Sequence, residues 1–117
     1  MIKSLINKIG KLLGGSSSPN PQLEAFILNN ATLVDVRTKA EFARGSAKGA
    51  INIPLNQVKH RISEFRNTEG IVVFCRSGGR SNQAKRILLA NDISNVVNGG
   101  TWKAVRKIQG DTKNKRS

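Results

Sequence analysis

The chain has 117 residues, the size of one domain, since a single core typically takes on the order of 100–150 residues. It is 38% hydrophobic, with four Phe, one Trp and no Tyr, which is enough apolar material for a small core and excludes wholesale disorder. A lone Cys excludes an internal disulfide, and with a lone His it cannot build a structural zinc site. Neither a metal nor a cofactor is expected. No apolar run approaches the ~20 residues that cross a bilayer. Twenty Lys and Arg against seven Asp and Glu give +13, but the excess sits at the ends. Residues 1–13 hold +3 through Lys3, Lys8 and Lys11, residues 103–117 hold +5, and only +5 is left for the 89 residues between. That distribution argues against a nucleic-acid-reading core.

Residues 1–13 follow a helical period, with Ile2, Leu5, Ile6, Ile9, Leu12 and Leu13 on one face and Lys3, Asn7, Lys8 and Lys11 on the other. Such a segment fits peripheral contact with a membrane surface, or packing on its own domain or a second copy. Lys8 and Lys11 interrupt the apolar stretch and speak against a secretory signal. GGSSSPNP, residues 14–21, reads as a flexible linker. The domain proper spans 22–108 and opens on a helix with Leu23, Phe26 and Ile27 as its stripe. LVDV (33–36) is a short strand and KAEFAR (39–44) is helix-prone. AINI (50–53) is a second strand, closed by Pro54. LNQVKHRISEF (55–65) reads as one helix with Leu55, Val58, Ile62 and Phe65 inward. IVVF (71–74) is the strongest strand. SNQAKRILLAN (81–91) is helical with Ala84, Ile87 and Leu88 inward. NVVN (95–98) is a last strand, and after Gly99-Gly100 a final helix carries Trp102 and Val105. Residues 109–117 form a basic tail expected to be frayed or disordered. Buried strands alternating with helices specify an α/β domain, a parallel central sheet flanked by helices on both faces.

In such sheets function gathers at the carboxyl ends of the strands. IVVF runs into Cys75-Arg76-Ser77-Gly78-Gly79-Arg80 and then a helix from Ser81. A strand feeding a Gly-containing loop and a helix start makes an anion cradle of backbone N–H groups, aided by the helix dipole. Gly78 and Gly79 let the loop turn tightly. At its mouth stands a cysteine, whose thiolate the helix start, Arg76 and Arg80 should favour. A buried, inert cysteine is the plainer alternative. Arg76 and Arg80 could equally be solvated surface charges, and Ser77 a donor or simply a turn former.

With Asp35-Val36-Arg37, Glu41-Phe42, Gly45 and Gly49-Ala50-Ile51-Asn52-Ile53-Pro54 upstream, and Asn98-Gly99-Gly100 with Trp102 downstream, the chain resembles the rhodanese family of sulfurtransferases. The stretch Cys75–Ser81 resembles the reactive loop of its single-domain members. The resemblance covers roughly residues 23–106 and departs at Ser46-Ala47, where the family usually has His-Ile. It implies a rhodanese-like fold and sulfur transfer of the thiosulfate sulfurtransferase type. Cys75 would be nucleophile and persulfide carrier, and Arg76, Ser77, Gly78, Gly79, Arg80 and Ser81 would bind the substrate. The implied partners are a small-molecule sulfur donor and a thiol or protein acceptor. Apart from the resemblance, the expectation is a cytoplasmic monomer, with residues 1–13 as its peripheral contact to a membrane surface. With no second thiol in the chain, the sulfur would leave to an outside acceptor.

The rival readings are a cysteine phosphatase and a non-catalytic binding or sulfur-carrier module. Phosphatase loops place five residues between Cys and Arg, but Cys75 and Arg80 enclose four, a ring better sized for sulfur than for phosphate. A binding module would use the basic ends to dock an acidic protein, RNA or anionic lipid; for nucleic acid, exposed aromatics to stack bases are missing. His60 reads as a surface residue, Asp35 as the ion-pair or turn partner of Arg37, Glu41 as structural and Trp102 as core.

Overall fold

The computed structural model describes residues 20–116. The amphipathic helix expected over 1–13, and residues 14–19 of the expected linker, lie outside them. Helix α1 spans Pro21–Leu28, with Asn20 Oδ1 accepting the Leu23 N–H at 3.1 Å. Pro21 occupies the first turn, where an N–H would have no helical partner. Asn20 and Pro21, expected to end the linker, therefore begin the helix.

The order continues β1 (Thr32–Asp35), α2 (Lys39–Ala43), β2 (Ile51–Asn52), α3 (Leu55–Val58), a 3-10 turn (Lys59–Arg61), α4 (Ser63–Arg66), β3 (Ile71–Cys75), α5 (Gly79–Ala90), β4 (Val96–Thr101) and α6 (Trp102–Arg116). The four strands form one parallel sheet ordered β2-β1-β3-β4. Period-two alternation sends their side chains to two core layers. Val34, Val36, Ile71, Val73 and Cys75 face Val58, Phe65, Ala84 and Leu88 of α3, α4 and α5. Leu33, Val72 and Phe74 face Leu23 of α1 and Val105 and Ile108 of α6. All five residues of β3 are fully buried. At about 1.5–3 kcal/mol for each large apolar side chain, this strand is the backbone of the core, and the loop that follows Cys75 hangs from its end.

Three expectations need correction. The helix expected over 55–65 is broken into α3, the 3-10 turn and α4. Three-residue closures, Gln57 N–H to Pro54 O at 2.8 Å and Phe65 N–H to Ile62 O at 2.9 Å, tighten the segment while Val58 and Phe65 stay in the core. Residues 109–116 are not frayed but continue α6. Gln109 anchors this part: its Oε1 accepts the Lys48 N–H at 3.0 Å and its Nε2 donates to the Lys48 carbonyl at 2.8 Å. Thr112, one turn beyond Ile108, is buried on the same face.

The third correction is β4, which does not stop at Asn98 but runs through Gly99-Gly100. Val73 pairs with Asn98 and Phe74 with Gly100, so Gly99 is the extra residue of a bulge. A Cβ on Gly99 would lie 2.8 Å from Val105 Cγ2 and 2.9 Å from Val72 Cγ1, both on stiff, buried, β-branched side chains. Gly99→Ala is expected to cost about 1–3 kcal/mol by overpacking, read as a lower urea midpoint with an unchanged slope.

Candidate active site

Cys75 ends β3, and residues 76–78 carry the chain to α5. Gly78 is the residue before the helix and has φ of +97°, a left-handed conformation that a side chain would strain. This turn folds the loop back over the sulfur. The Gly78 N–H donates to Cys75 Sγ at 2.9 Å, and Ser81 Oγ lies 3.4 Å from it. Burial pushes the thiol up. The Ser81 hydroxyl and the backbone N–H groups of Ser81, Ser77 and Gly78 outweigh that, so the thiol sits below its ordinary range. Cys75 is as buried as an inert core cysteine, but hydrogen-bond donors converge on its sulfur.

Ser81 is fully buried, and its oxygen also lies 2.7 Å from Asn98 Oδ1 and 3.1 Å from the Gly78 carbonyl. Asn98 ties three parts of the loop together: Oδ1 accepts from Ser81 and from the Gly100 N–H at 2.9 Å, while Nδ2 donates to the Gly78 carbonyl at 3.2 Å. Sequence reasoning singled out Asn98 only within the Asn-Gly-Gly stretch and gave it no role. The bulge at Gly99 is what aims it.

The arginines divide. Arg76 is exposed and has no carboxylate within ion-pair distance among the described residues. Arg80, expected to offer a free positive rim, is engaged: its Nη1 and Nη2 donate to Glu41 Oε1 and Oε2 at 2.7 and 3.0 Å. Ser77 is exposed on the loop, and Gly79 is exposed at the first position of α5. His60 is exposed as expected. Trp102 is half-buried against the α1–α6 core layer, with the Arg37 guanidinium 5.1 Å from its ring centre.

Glu41 also caps its own helix through the Thr38 N–H and hydroxyl. Hydrogen bonds from Arg80, then Thr38, hold its carboxyl at about 2 against an ordinary 4.5. A depressed carboxylate contributes stability above its unfolded value and loses it as pH falls through the folded one. The stability difference between wild type and Glu41→Gln is therefore expected to be full above pH 4.5 and to shrink toward about pH 2, as read from urea midpoints across that range.

The β3–loop–α5 cradle on a four-stranded parallel sheet defines a cysteine-centred α/β domain. The description "Rhodanese-like domain" matches residues 20–107, and the chain belongs to that family. It is 39% identical over 66 residues to a protein of Allochromatium vinosum named sulfurtransferase, covering 56% of this chain and 62% of that one. It is 37% identical over 81 residues to the thiosulfate sulfurtransferase PspE of Escherichia coli, covering 66% and 78%. The chain thus spans less than two thirds of the Allochromatium protein's length. Among solved structures, it is similar to a rhodanese with anions from E. coli, with a TM-score of 0.58 and 36% identity over 62% of this chain and 88% of that one. Among the described residues no helix is long and apolar enough to cross a membrane.

Proposed function

We propose that the protein is a sulfurtransferase that moves a sulfane sulfur from a donor such as thiosulfate to a thiophilic acceptor through a persulfide on Cys75. The observation that carries this reading is the Gly78 N–H donated to Cys75 Sγ at 2.9 Å, with the Ser81 oxygen 3.4 Å from the same sulfur and the thiol held below its ordinary range. In the first half-reaction the Cys75 thiolate attacks the outer sulfur of thiosulfate. A Sγ–S bond forms, the donor's S–S bond breaks, and sulfite leaves with the electron pair. The persulfide anion stays in the same ring of N–H groups, which suits both charged forms. In the second half-reaction an acceptor attacks the terminal sulfur, giving thiocyanate from cyanide or a hydropersulfide from a thiol, and the Cys75 thiolate returns.

Cys75 exposes none of its surface, so a donor reaches Sγ as the loop residues 77–79 give way, a motion the two glycines ease. Arg76 offers the free cation for an anionic donor. The carrier or docking reading rests on the exposed Lys103, Arg106 and Lys107 of α6, a cationic face for an acidic partner. It adds to sulfur transfer and does not compete with it at Cys75.

Intact-protein mass spectrometry after incubation with thiosulfate tests the reading. Wild type is expected to gain one sulfur atom and to lose it to cyanide with release of thiocyanate, while Cys75→Ser gains none. No gain with thiosulfate or with a persulfide donor would overturn it.

A further inference from the structure

Helix α6 carries six basic residues and one acidic one, Asp111, over Trp102–Arg116. In its first two turns Lys103, Arg106 and Lys107 are exposed, and with Trp102 they line an open hollow of about 390 Å³. None of the three is ion-paired; the pairs among the described residues are Arg37–Asp35, Arg61–Glu64 and Arg80–Glu41. Lys103 stands three residues before Arg106 and four before Lys107, the spacings at which like charges on a helix repel. The first turn holds no acidic residue, so Lys103 also lies against the helix dipole. The fold bears uncompensated positive charge here, which an acidic ligand would relieve.

This face starts at the edge of the sheet where Cys75 sits. Cys75 pairs in register with Thr101, the residue before α6, and neighbouring strands run about 4.8 Å apart. The loop meets the same place. A Cβ on Gly78, whose N–H reaches Sγ, would lie 3.7 Å from Gly100 Cα. Exposed Arg76 extends the positive charge onto the loop itself.

Lipid, nucleic acid and acidic protein are the polyanions to weigh, and the surroundings favour the protein. An interfacial helix sinks apolar side chains into lipid. Those of α6, Val105 and Ile108, are buried in the core, and the exposed large apolar side chains among the described residues, Ile51 and Leu89, lie on β2 and α5. A single-stranded nucleic acid stacks its bases on aromatic rings. The Trp102 ring already has the Arg37 guanidinium at 5.1 Å and Lys103 Nζ at 5.6 Å from its centre. Carboxylates need only the cations.

We propose that the face formed by Lys103, Arg106 and Lys107 docks an acidic segment of a protein acceptor, whose thiol takes the sulfur at the neighbouring loop. The assignment rests on the sulfur-transfer reading above and gives that reaction its acceptor class. The acceptor thiolate attacks the terminal sulfur of the Cys75 persulfide. A new S–S bond forms, the Sγ–S bond breaks, and the Cys75 thiolate leaves with the electron pair. The acceptor departs as a persulfide, and no outside oxidant or reductant is needed.

The test uses a short synthetic peptide with an N-terminal cysteine and a run of glutamates, against its twin with glutamines. Two readouts are taken at low ionic strength: sulfur transfer from thiosulfate-loaded protein, and binding by the fluorescence of Trp102, the only Trp in the chain. The glutamate peptide is expected to show about tenfold higher kcat/KM and tighter binding, from a few exposed charge contacts, and to lose the advantage in high salt. Arg106→Glu/Lys107→Glu should bring the two peptides to near equality. Lys59→Glu/Arg66→Glu makes the same change in net charge at exposed cations on the other face of the sheet and should keep most of the preference. Arg106→Gln alone, a substitution nearly neutral for helix formation, keeps the test open if the double variant unfolds, and should lower the preference about twofold. Equal peptides in wild type, or a preference that survives in folded Arg106→Glu/Lys107→Glu, overturns the docking face. So does a uridine oligonucleotide or a phosphatidylglycerol vesicle of equal charge that outcompetes the glutamate peptide at Trp102. If thiosulfate loads Cys75 while the peptides are equal, sulfur transfer stands and only the face is lost. If Cys75 does not load, the acceptor role falls with sulfur transfer, and the fluorescence titration alone decides whether the face docks acidic chains.

Discussion

Replacing Asp35 with alanine is expected to cost about 3–5 kcal/mol of stability, the range for stranding one partner of a buried ion pair. Asp35 has no exposed surface and Arg37 only 5%. The Asp35 carboxylate accepts from Arg37 Nη2 at 2.7 Å, from Nε at 3.0 and 3.1 Å, from the Arg37 N–H at 2.9 Å and from Ser46 Oγ at 2.7 Å. Alanine would leave a guanidinium, a backbone N–H and a hydroxyl facing an empty site, in a structure where no buried side-chain polar atom among the described residues lacks a partner. Against a typical total of about 5–15 kcal/mol, that is a large fraction. The double variant Asp35→Leu/Arg37→Met removes both charges together, and should recover much of the loss because the desolvation cost goes with them. Urea denaturation of the single and double variants reads the difference. The same geometry explains the departure at Ser46: its hydroxyl completes the Asp35 shell, a structural role, and leaves Cys75 untouched.

Asn98→Ala should lower kcat/KM for sulfur transfer about 10²-fold, the scale expected when reacting groups are displaced by about 1 Å. Its side chain bridges Ser81, the Gly78 carbonyl and the Gly100 N–H. Without it the turn carrying the Gly78 N–H loses its tie to β4. A purely structural loss would lower the amount of folded enzyme, so a second variant separates the two effects. Asn98→Asp keeps the oxygen that accepts from Ser81 and Gly100, but it sets a negative charge behind Ser81, whose oxygen is 3.4 Å from the sulfur. A like charge disfavours the thiolate. The pH midpoint for alkylation of Cys75 by iodoacetamide should therefore move up in Asn98→Asp, in protein that remains folded by circular dichroism. An unchanged midpoint would reduce Asn98 to a packing residue.

Much of this was legible in the chain because the signals are local. Runs such as IVVF need only their neighbours to declare a buried strand, and Cys75 through Ser81 announce a cradle by residue type alone. What escaped depends on contacts between distant residues. Arg80 reads as a free cation until Glu41, 39 residues away, is found across from it. The end of α6 reads as a loose basic tail until Gln109 meets the backbone of Lys48, 61 residues away. Asn98 has no recognisable task until the bulge at Gly99 turns it toward a loop 17 residues upstream. Two adjacent glycines look like the end of a strand; here the first is forced by the packing of Val72 and Val105, which no local pattern records.

The two outer strands of the sheet bear on how the protein behaves at high concentration. An open sheet offers its rims as templates for another chain, and a long, flat, apolar rim invites runaway stacking. One rim here is β2, only two residues long, with Asn52 Nδ2 turned back onto the carbonyls of Asp35 and Arg37. The other is β4, kinked by the bulge that orients Asn98. Neither presents the straight run of free backbone that a neighbouring copy would need in order to extend the sheet. The irregularity that orients the groups around Cys75 thus also guards the domain against edge-to-edge aggregation.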